Sequence, residues 1–196
     1  MNNIIQEKND VELLDIESKK FKKFIENFKK KEIIEKKPLC RIIVFGSYRP
    51  LEEKEFLIKI RDDLKNEGYI NTWLVENYPT YDDLSIRDKS IFCLEYSHVN
   101  FFIITFEGKK VGATVELEHI IHNATKLSFK TVVYYEIKYE NDEKKSSLSQ
   151  LQENELISVN IRMHEFKIDN YQDLIELIKG EAWKLHYHYV LYERQY

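Results

Sequence analysis

Two short stretches of the chain hold the residue types that a small-molecule site needs: Gly46-Ser47-Tyr48-Arg49 and Gly112-Ala113-Thr114-Val115-Glu116. In the first, Gly46 permits a tight backbone turn, Ser47 and Tyr48 offer hydroxyls, and the Arg49 guanidinium forms a fork that matches phosphate or carboxylate oxygens. The acidic run that follows, Glu52, Glu53 and Glu55, complements the positive end of a helix and repels an anion nearby. In the second stretch, Gly112 lets a ligand approach the backbone and Glu116 supplies a carboxylate. A carboxylate in about the first turn of a helix is favoured in its ionised form. Ionised, it can attack an anomeric carbon, or stabilise the oxocarbenium-like cation that develops when a sugar parts from its base. Each stretch also has a plain structural reading, as an ordinary strand-to-helix turn and as a carboxylate complementing a helix dipole.

The elements that must position these residues follow from apolar spacing. Leu39 to Phe45 reads as a buried strand ended by Gly46, Glu52 to Glu67 as a helix closed by Gly68, and Ile70 to Val75 as a second strand. A helix is expected from Ile86 to Tyr96, then a central strand from Val99 to Phe106, apolar at nearly every position and so covered on both faces. Gly112 opens a helix through Ala124, and Thr131 to Tyr135 forms the next strand. Lys138 to Ser149 is polar enough for a surface loop, whereas Ile157, Val159, Ile161 and Met163 alternate with polar residues as in an edge strand. Tyr171 to Tyr192 is helical, with Gly180 a place where it could break. Alternating strands and helices imply right-handed crossovers, hence an α/β fold with a flavodoxin-like, doubly wound parallel sheet of about five strands. The expected organisation is an amphipathic N-terminal helical extension over 1–37, the α/β domain over 38–168, and a C-terminal helix over 169–196 that packs on the domain or on a partner subunit. In such sheets ligands bind beyond the carboxyl ends of the strands, where strand order reverses. The loops after the first and third strands should meet there.

Residues 42–121 resemble the nucleoside 2-deoxyribosyltransferase-like superfamily, which includes the deoxynucleoside 5′-monophosphate N-glycosidases. Gly46-Ser47-Tyr48-Arg49 is similar to that family's Gly-Ser-x-Arg turn, Ile86-Arg87-Asp88 to its Asp-containing helix start, and Gly112-x-x-x-Glu116-Leu117 to its Gly-x-x-x-Glu-Leu motif. The resemblance implies that Glu116 is the nucleophile, that Asp88 positions it or handles protons, and that Ser47, Tyr48 and Arg49 hold sugar or phosphate. Gly46, Gly112, Ala113 and Thr114 would complete the substrate-binding set, and no cofactor is implied. Two departures stand out: Glu118 replaces a common glycine, and Asp88 lies two residues early against the following strand, leaving Ser90 in register. The same stretch also resembles TIR domains, through Val44 to Arg49, Lys89 to Ser97 and the Glu116-Leu117 pair. The enzymatic members cleave the nicotinamide bond of NAD with a glutamate in this region, and the scaffold members catalyse nothing. A non-catalytic nucleotide-binding module on the same fold is the third reading.

Composition narrows the partners. With 196 residues, 43% of them hydrophobic, the chain is long enough for one domain with a substantial core, and five glycines with three prolines leave little room for long linkers. The formal charge of −4 provides no global basic field, so nucleic acid is an unlikely partner and a nucleoside or nucleotide the expected one. No apolar run approaches a membrane span and the first residues do not form a leader, so a cytoplasmic protein is expected. Cys40 and Cys93 lie in apolar surroundings and fit buried thiols in a reducing compartment. From Glu17 to Lys37 nine lysines stand against four glutamates, which fits a solvated helix face, with Phe21, Phe24, Ile25 and Phe28 along the other face. That helix and the aromatic C-terminal one, with Tyr187, Tyr189, Tyr192 and Tyr196, offer surfaces for a homodimer. His119 and His122 are three apart rather than four, so no zinc motif forms, and His186 and His188 fit packing better than ligation.

Overall fold

The strand pattern closes into one sheet in the structure, a computed structural model that describes residues 23, 26, 27, 30–79, 84–108 and 111–192, with the side chains of 111–114 and 191–192 outside that description. The chain divides into two units, 1–36 and 37–196. In the first, helix α1 over 30–36 carries the i,i+4 ion pairs Lys31–Glu35 at 3.8 Å and Lys36–Glu32 at 3.3 Å. Phe21, Phe24, Ile25 and Phe28 of the expected amphipathic face, like Tyr196 at the other end, lie outside the described residues.

The second unit is α/β. Strands β1 (Ile42–Gly46), β2 (Thr72–Leu74), β3 (Val99–Ile104), β4 (Thr131–Glu140) and β6 (Arg162–Phe166) are parallel, in the order β2-β1-β3-β4-β6, and β5 (Glu143–Ser146) is antiparallel to β4. This is a flavodoxin-like arrangement. The order reverses between β1 and β3, so the topological switch point lies at their carboxyl ends.

Alternate residues of each strand serve two cores. Ile42 and Val44 of β1, Phe101 and Ile103 of β3, and Val132 and Tyr134 of β4 face Leu57, Ile60 and Leu64 of helix α2 (Leu51–Asn66) and Leu174, Ile175, Ile178 and Ala182 of helix α7 (Tyr171–Tyr192). Ile43, Phe45, Phe102, Ile104 and Val133 face the opposite layer. That layer comprises helices α3 (Ile86–Tyr96), α4 (Val111–His122), α5 (Ala124–Leu127) and α6 (Gln150–Ser158), through Cys93, Leu94, Leu117, Ile120, Leu127 and Leu156. A strand covered on both sides is apolar at nearly every position: all six residues of β3 are buried, and its polar Asn100 accepts the Ser97 hydroxyl at 2.6 Å and donates to Leu94 O at 3.3 Å. Each large side chain so buried contributes roughly 1.5–3 kcal/mol. The C-terminal helix is thus part of this core, and it runs unbroken through Gly180, whose position faces open space. A glycine there costs only about 1 kcal/mol of helix propensity, too little to interrupt a helix held by packing.

Helix ends follow local chemistry. Gly68, at φ +103°, closes α2 as the sequence implied: its N–H donates to Lys65 O (3.0 Å) and that of Tyr69 to Leu64 O (3.0 Å).

Two expectations are corrected. Lys138 to Ser149 is not a loop: β4 continues to Glu140, turns through Asn141 and Asp142, both at positive φ, and returns as β5. Its charged composition suits a hairpin that is exposed on both faces. Ser147, just after β5, donates its hydroxyl to Ile104 O (2.7 Å), so the return seats against the end of β3. The alternation from Ile157 to Met163 is not one strand either. Asn160, at φ 58°, ends α6, with its N–H on Ile157 O (3.0 Å) and that of Ile161 on Leu156 O (3.1 Å). The apparent period of two spans a helix terminus and the start of β6.

Candidate functional site

The loop after β1 and the turn after β3 meet at the switch point. A Cβ built on Gly108 would lie 2.8 Å from Ser47 Cβ and 2.8 Å from Thr105 Oγ1, so only glycine allows the two segments to touch. A Cβ on Gly46 would meet Leu57 at 2.8 Å and Ile103 O at 3.0 Å, which fixes glycine at the end of β1 as well. Ser47 shapes its own loop: its hydroxyl donates to Arg49 O (2.6 Å) and accepts from Arg49 N–H (3.2 Å). Arg49 itself is exposed. Tyr48 packs against both cores, and its phenolic oxygen accepts the Val75 N–H at 3.0 Å. Burial, above all, pushes its ionisation up, with smaller contributions from Glu76, Glu116 and Cys93.

Glu116 is the sixth residue of α4, one position deeper than a helix opening at Gly112 would give, because the helix already starts at Val111. Gly112, Ala113 and Thr114 form its first turn. Glu116 is half-buried, and the desolvation of its carboxyl pushes its pKa above the ordinary 4.5. Burial therefore outweighs the helix dipole that the sequence pattern put first. Opposing the shift, the Ser90 hydroxyl and the Glu116 backbone N–H hydrogen-bond to the carboxylate. Ser90 is buried on α3, and its hydroxyl donates to Arg87 O at 3.0 Å.

Asp88 stands at the start of α3. It is exposed in the first turn of α3, where its N–H donates to Ser85 Oγ (3.1 Å) and its carboxylate accepts from the Ser85 hydroxyl (2.6 Å). That is an N-terminal cap, and it leaves Ser90, two residues on, facing Glu116. The helical repeat is the reason, since positions two apart point to different sides.

On the other face of the sheet the structure buries two carboxylates, Glu53, expected from the sequence only to complement a helix end, and Glu136, which the sequence reading passed over. Glu53 is only 6% exposed and accepts the Thr105 hydroxyl at 2.5 Å, and Glu136 is 1% exposed and accepts the Phe106 N–H at 2.9 Å. Lys138 Nζ lies 3.4 Å from Glu136 and 3.7 Å from Glu107. Burial raises the pKa of Glu53; the Thr105 hydrogen bond and Lys138 oppose the shift, and Glu136 and Glu107 reinforce it. A signal for Glu53 existed, because it continues the buried stripe of Leu57, Ile60 and Leu64 by one turn. A signal for Glu136 existed too, as a charge at the carboxyl end of an apolar strand.

An open groove of about 210 Å³ between α3 and α4 is lined by Arg87, Ile91, Val115, Glu118, His119 and His122, and Glu116 and Ser90 are not part of it. Its histidines are engaged, His119 with Glu95 at 3.2 Å and His122 with Glu118 O at 2.7 Å. His186 packs its ring edge-on against Tyr69, with centroids 5.8 Å apart. Among the described residues no three His, Cys, Asp or Glu side chains converge as a metal site requires. Cys40 and Cys93 are free and buried, and burial pushes both thiols up to about 12. Among the described residues no helix is long and apolar enough to cross a membrane.

Comparisons with protein-family models, with curated proteins and with solved structures yield no match for this chain.

Proposed function

We propose that this protein cleaves the bond between base and sugar in a nucleoside or nucleotide, with Glu116 as the nucleophile. The observation that carries this reading is the half-buried Glu116 carboxylate, close enough to Tyr48 of the β1 loop to act on its ionisation and favoured in its charged form by the Ser90 hydroxyl. A carboxylate withdrawn from water but still held by a donor is poised to exchange its solvation for a bond to a cationic carbon.

In the first step a Glu116 oxygen bonds to the anomeric carbon as the carbon–nitrogen bond breaks; the base leaves with that electron pair and takes a proton from solvent. In the second, water attacks the anomeric carbon of the glycosyl ester and gives up a proton to solvent, yielding free sugar and restoring the carboxylate, or a second base takes the sugar and gives up its N–H proton to solvent. Ser47 and the exposed Arg49 of the β1 loop would hold sugar or phosphate oxygens. Ser90, rather than Asp88, holds the nucleophile.

The test is incubation of the full chain with a panel of nucleosides, 5′-nucleotides and NAD, analysed chromatographically for released base. Release that falls by about 10⁴-fold in Glu116→Gln, an isosteric variant, supports the reading. Release of nicotinamide from NAD alone would favour the TIR-like alternative, and no release from any substrate would leave a non-catalytic binding module.

A further inference from the structure

Among the described residues, side chains hold the turn that leads into α4. Gly108 N–H donates to Thr105 Oγ1 at 3.2 Å, the Thr105 hydroxyl donates in turn to Glu53 at 2.5 Å, and Phe106 N–H donates to Glu136 at 2.9 Å. The first two bonds form a one-way chain from backbone through hydroxyl to carboxylate, and it ends on a side chain anchored in α2. Thr105 and Glu53 are 3% and 6% exposed, so water does not substitute for either partner. The same turn is clamped from the other side by Ser47, whose Cβ leaves no space for a side chain at residue 108. Only two residues separate Gly108 from the first residue of α4. Where the turn sits therefore sets where α4 begins, and with it the distance of Glu116 from Ser90 on the neighbouring helix.

From this geometry we infer that Glu53 and Thr105 are positioning residues for Glu116, acting through the turn 105–108. The inference rests on Glu116 being the reacting group, as proposed above. Glu53 acts as a hydrogen-bond acceptor, and its neighbours Glu136, Glu107 and Lys138 fix the surrounding charge. A glutamine at this position keeps the acceptor oxygen, whereas methionine fills the same space without one. Valine at position 105 keeps the shape of threonine and removes the relay, leaving the Gly108 N–H without its partner.

The experiment compares Thr105→Val, Glu53→Met and Glu53→Gln with the wild type in two readouts. The first is steady-state base release. Thr105→Val and Glu53→Met are expected to lower kcat by between about 10-fold and 10²-fold with KM within about twofold, the effect of a small misplacement of the reacting group. Glu53→Gln is expected to restore most of the rate, which a merely structural contribution to folding would not produce. The second is the carbon-13 titration of the Glu116 carboxyl, which needs no turnover. In Thr105→Val and Glu53→Met it is expected to move about fivefold toward the protonated form, as the Ser90 bond lengthens, and in Glu53→Gln to match the wild type. Folded Thr105→Val and Glu53→Met proteins with an unchanged Glu116 titration would overturn the inference, even if the chain proves inactive. A Glu53→Gln protein as impaired as Glu53→Met would overturn it as well. If Thr105→Val does not fold, the two Glu53 variants decide the matter alone.

Discussion

Replacing Ser90 by alanine isolates the contact on which the site depends. Ser90 is buried and small, so the variant removes one oxygen and leaves a void too small to perturb the fold. What it loses is the hydroxyl that stabilises the Glu116 carboxylate against the burial that disfavours it. A hydrogen bond to a charged group contributes about 1.5–3 kcal/mol, and because the Ser90 hydroxyl donates to Arg87 O at 3.0 Å, the low end applies to its effect on Glu116. At about 1.4 kcal/mol per tenfold, the Glu116 ionisation equilibrium moves about tenfold further toward the protonated acid. In the proposed mechanism Glu116 attacks in its ionised form, so the acid limb of the pH–rate profile moves to higher pH. On that limb Ser90→Ala is about tenfold slower than wild type at equal pH, and on the alkaline plateau the two rates converge. The assay is base release across the pH range, with the Glu116 carboxyl followed by carbon-13 NMR. An acid limb and a titration that coincide with the wild type would refute the assignment of Ser90 to Glu116. A uniform rate loss at every pH would refute the argument that the hydroxyl acts through ionisation.

Gly108→Ala is expected to cost about 1–3 kcal/mol in urea unfolding, because the new methyl meets Ser47 Cβ and Thr105 Oγ1 at 2.8 Å and the turn must move; it should also lower the rate of base release. His98→Phe tests a pH-dependent contribution to stability. The His98 Nδ1 accepts the Arg41 N–H at 3.0 Å, and burial, followed by the nearby cations Arg41 and Lys130, pushes its pKa down to about 4 from 6.5. A depressed folded-state pKa gives stability that is present above 6.5 and is lost as pH falls through about 4. The drop corresponds to about 3 kcal/mol, reduced to about 2 for the partly exposed ring. Denaturant titrations should show the stability advantage of wild type over the phenylalanine variant shrinking by that amount between neutral pH and pH 4.

The sequence alone determined the α/β architecture of the domain and pointed to the strand ends for its candidate site. Its strands and helices differ enough in period and length that a doubly wound parallel sheet follows, and the apolar run of β3 fixes a strand buried on both sides. Given that topology, the loops carrying Ser47 and Glu116 had to converge, since ligand sites in such sheets lie where strand order reverses. Sequence failed where local pattern was ambiguous. The charged hairpin read as a loop because a two-stranded projection exposed on both faces has a loop's composition, and the end of α6 read as a strand because a left-handed Asn160 joins two alternating patterns. Tertiary structure alone decided the partners of the central carboxylate. Which of Asp88 and Ser90 faces Glu116 depends on the rotation of α3 against α4, and two residues along a helix change the direction of a side chain by more than half a turn. The burial of Glu53 and Glu136 is likewise a property of packing: each is an ordinary charged residue in its own helix or strand, and only the assembled strand ends turn them into acceptors for the turn that carries the chain toward Glu116.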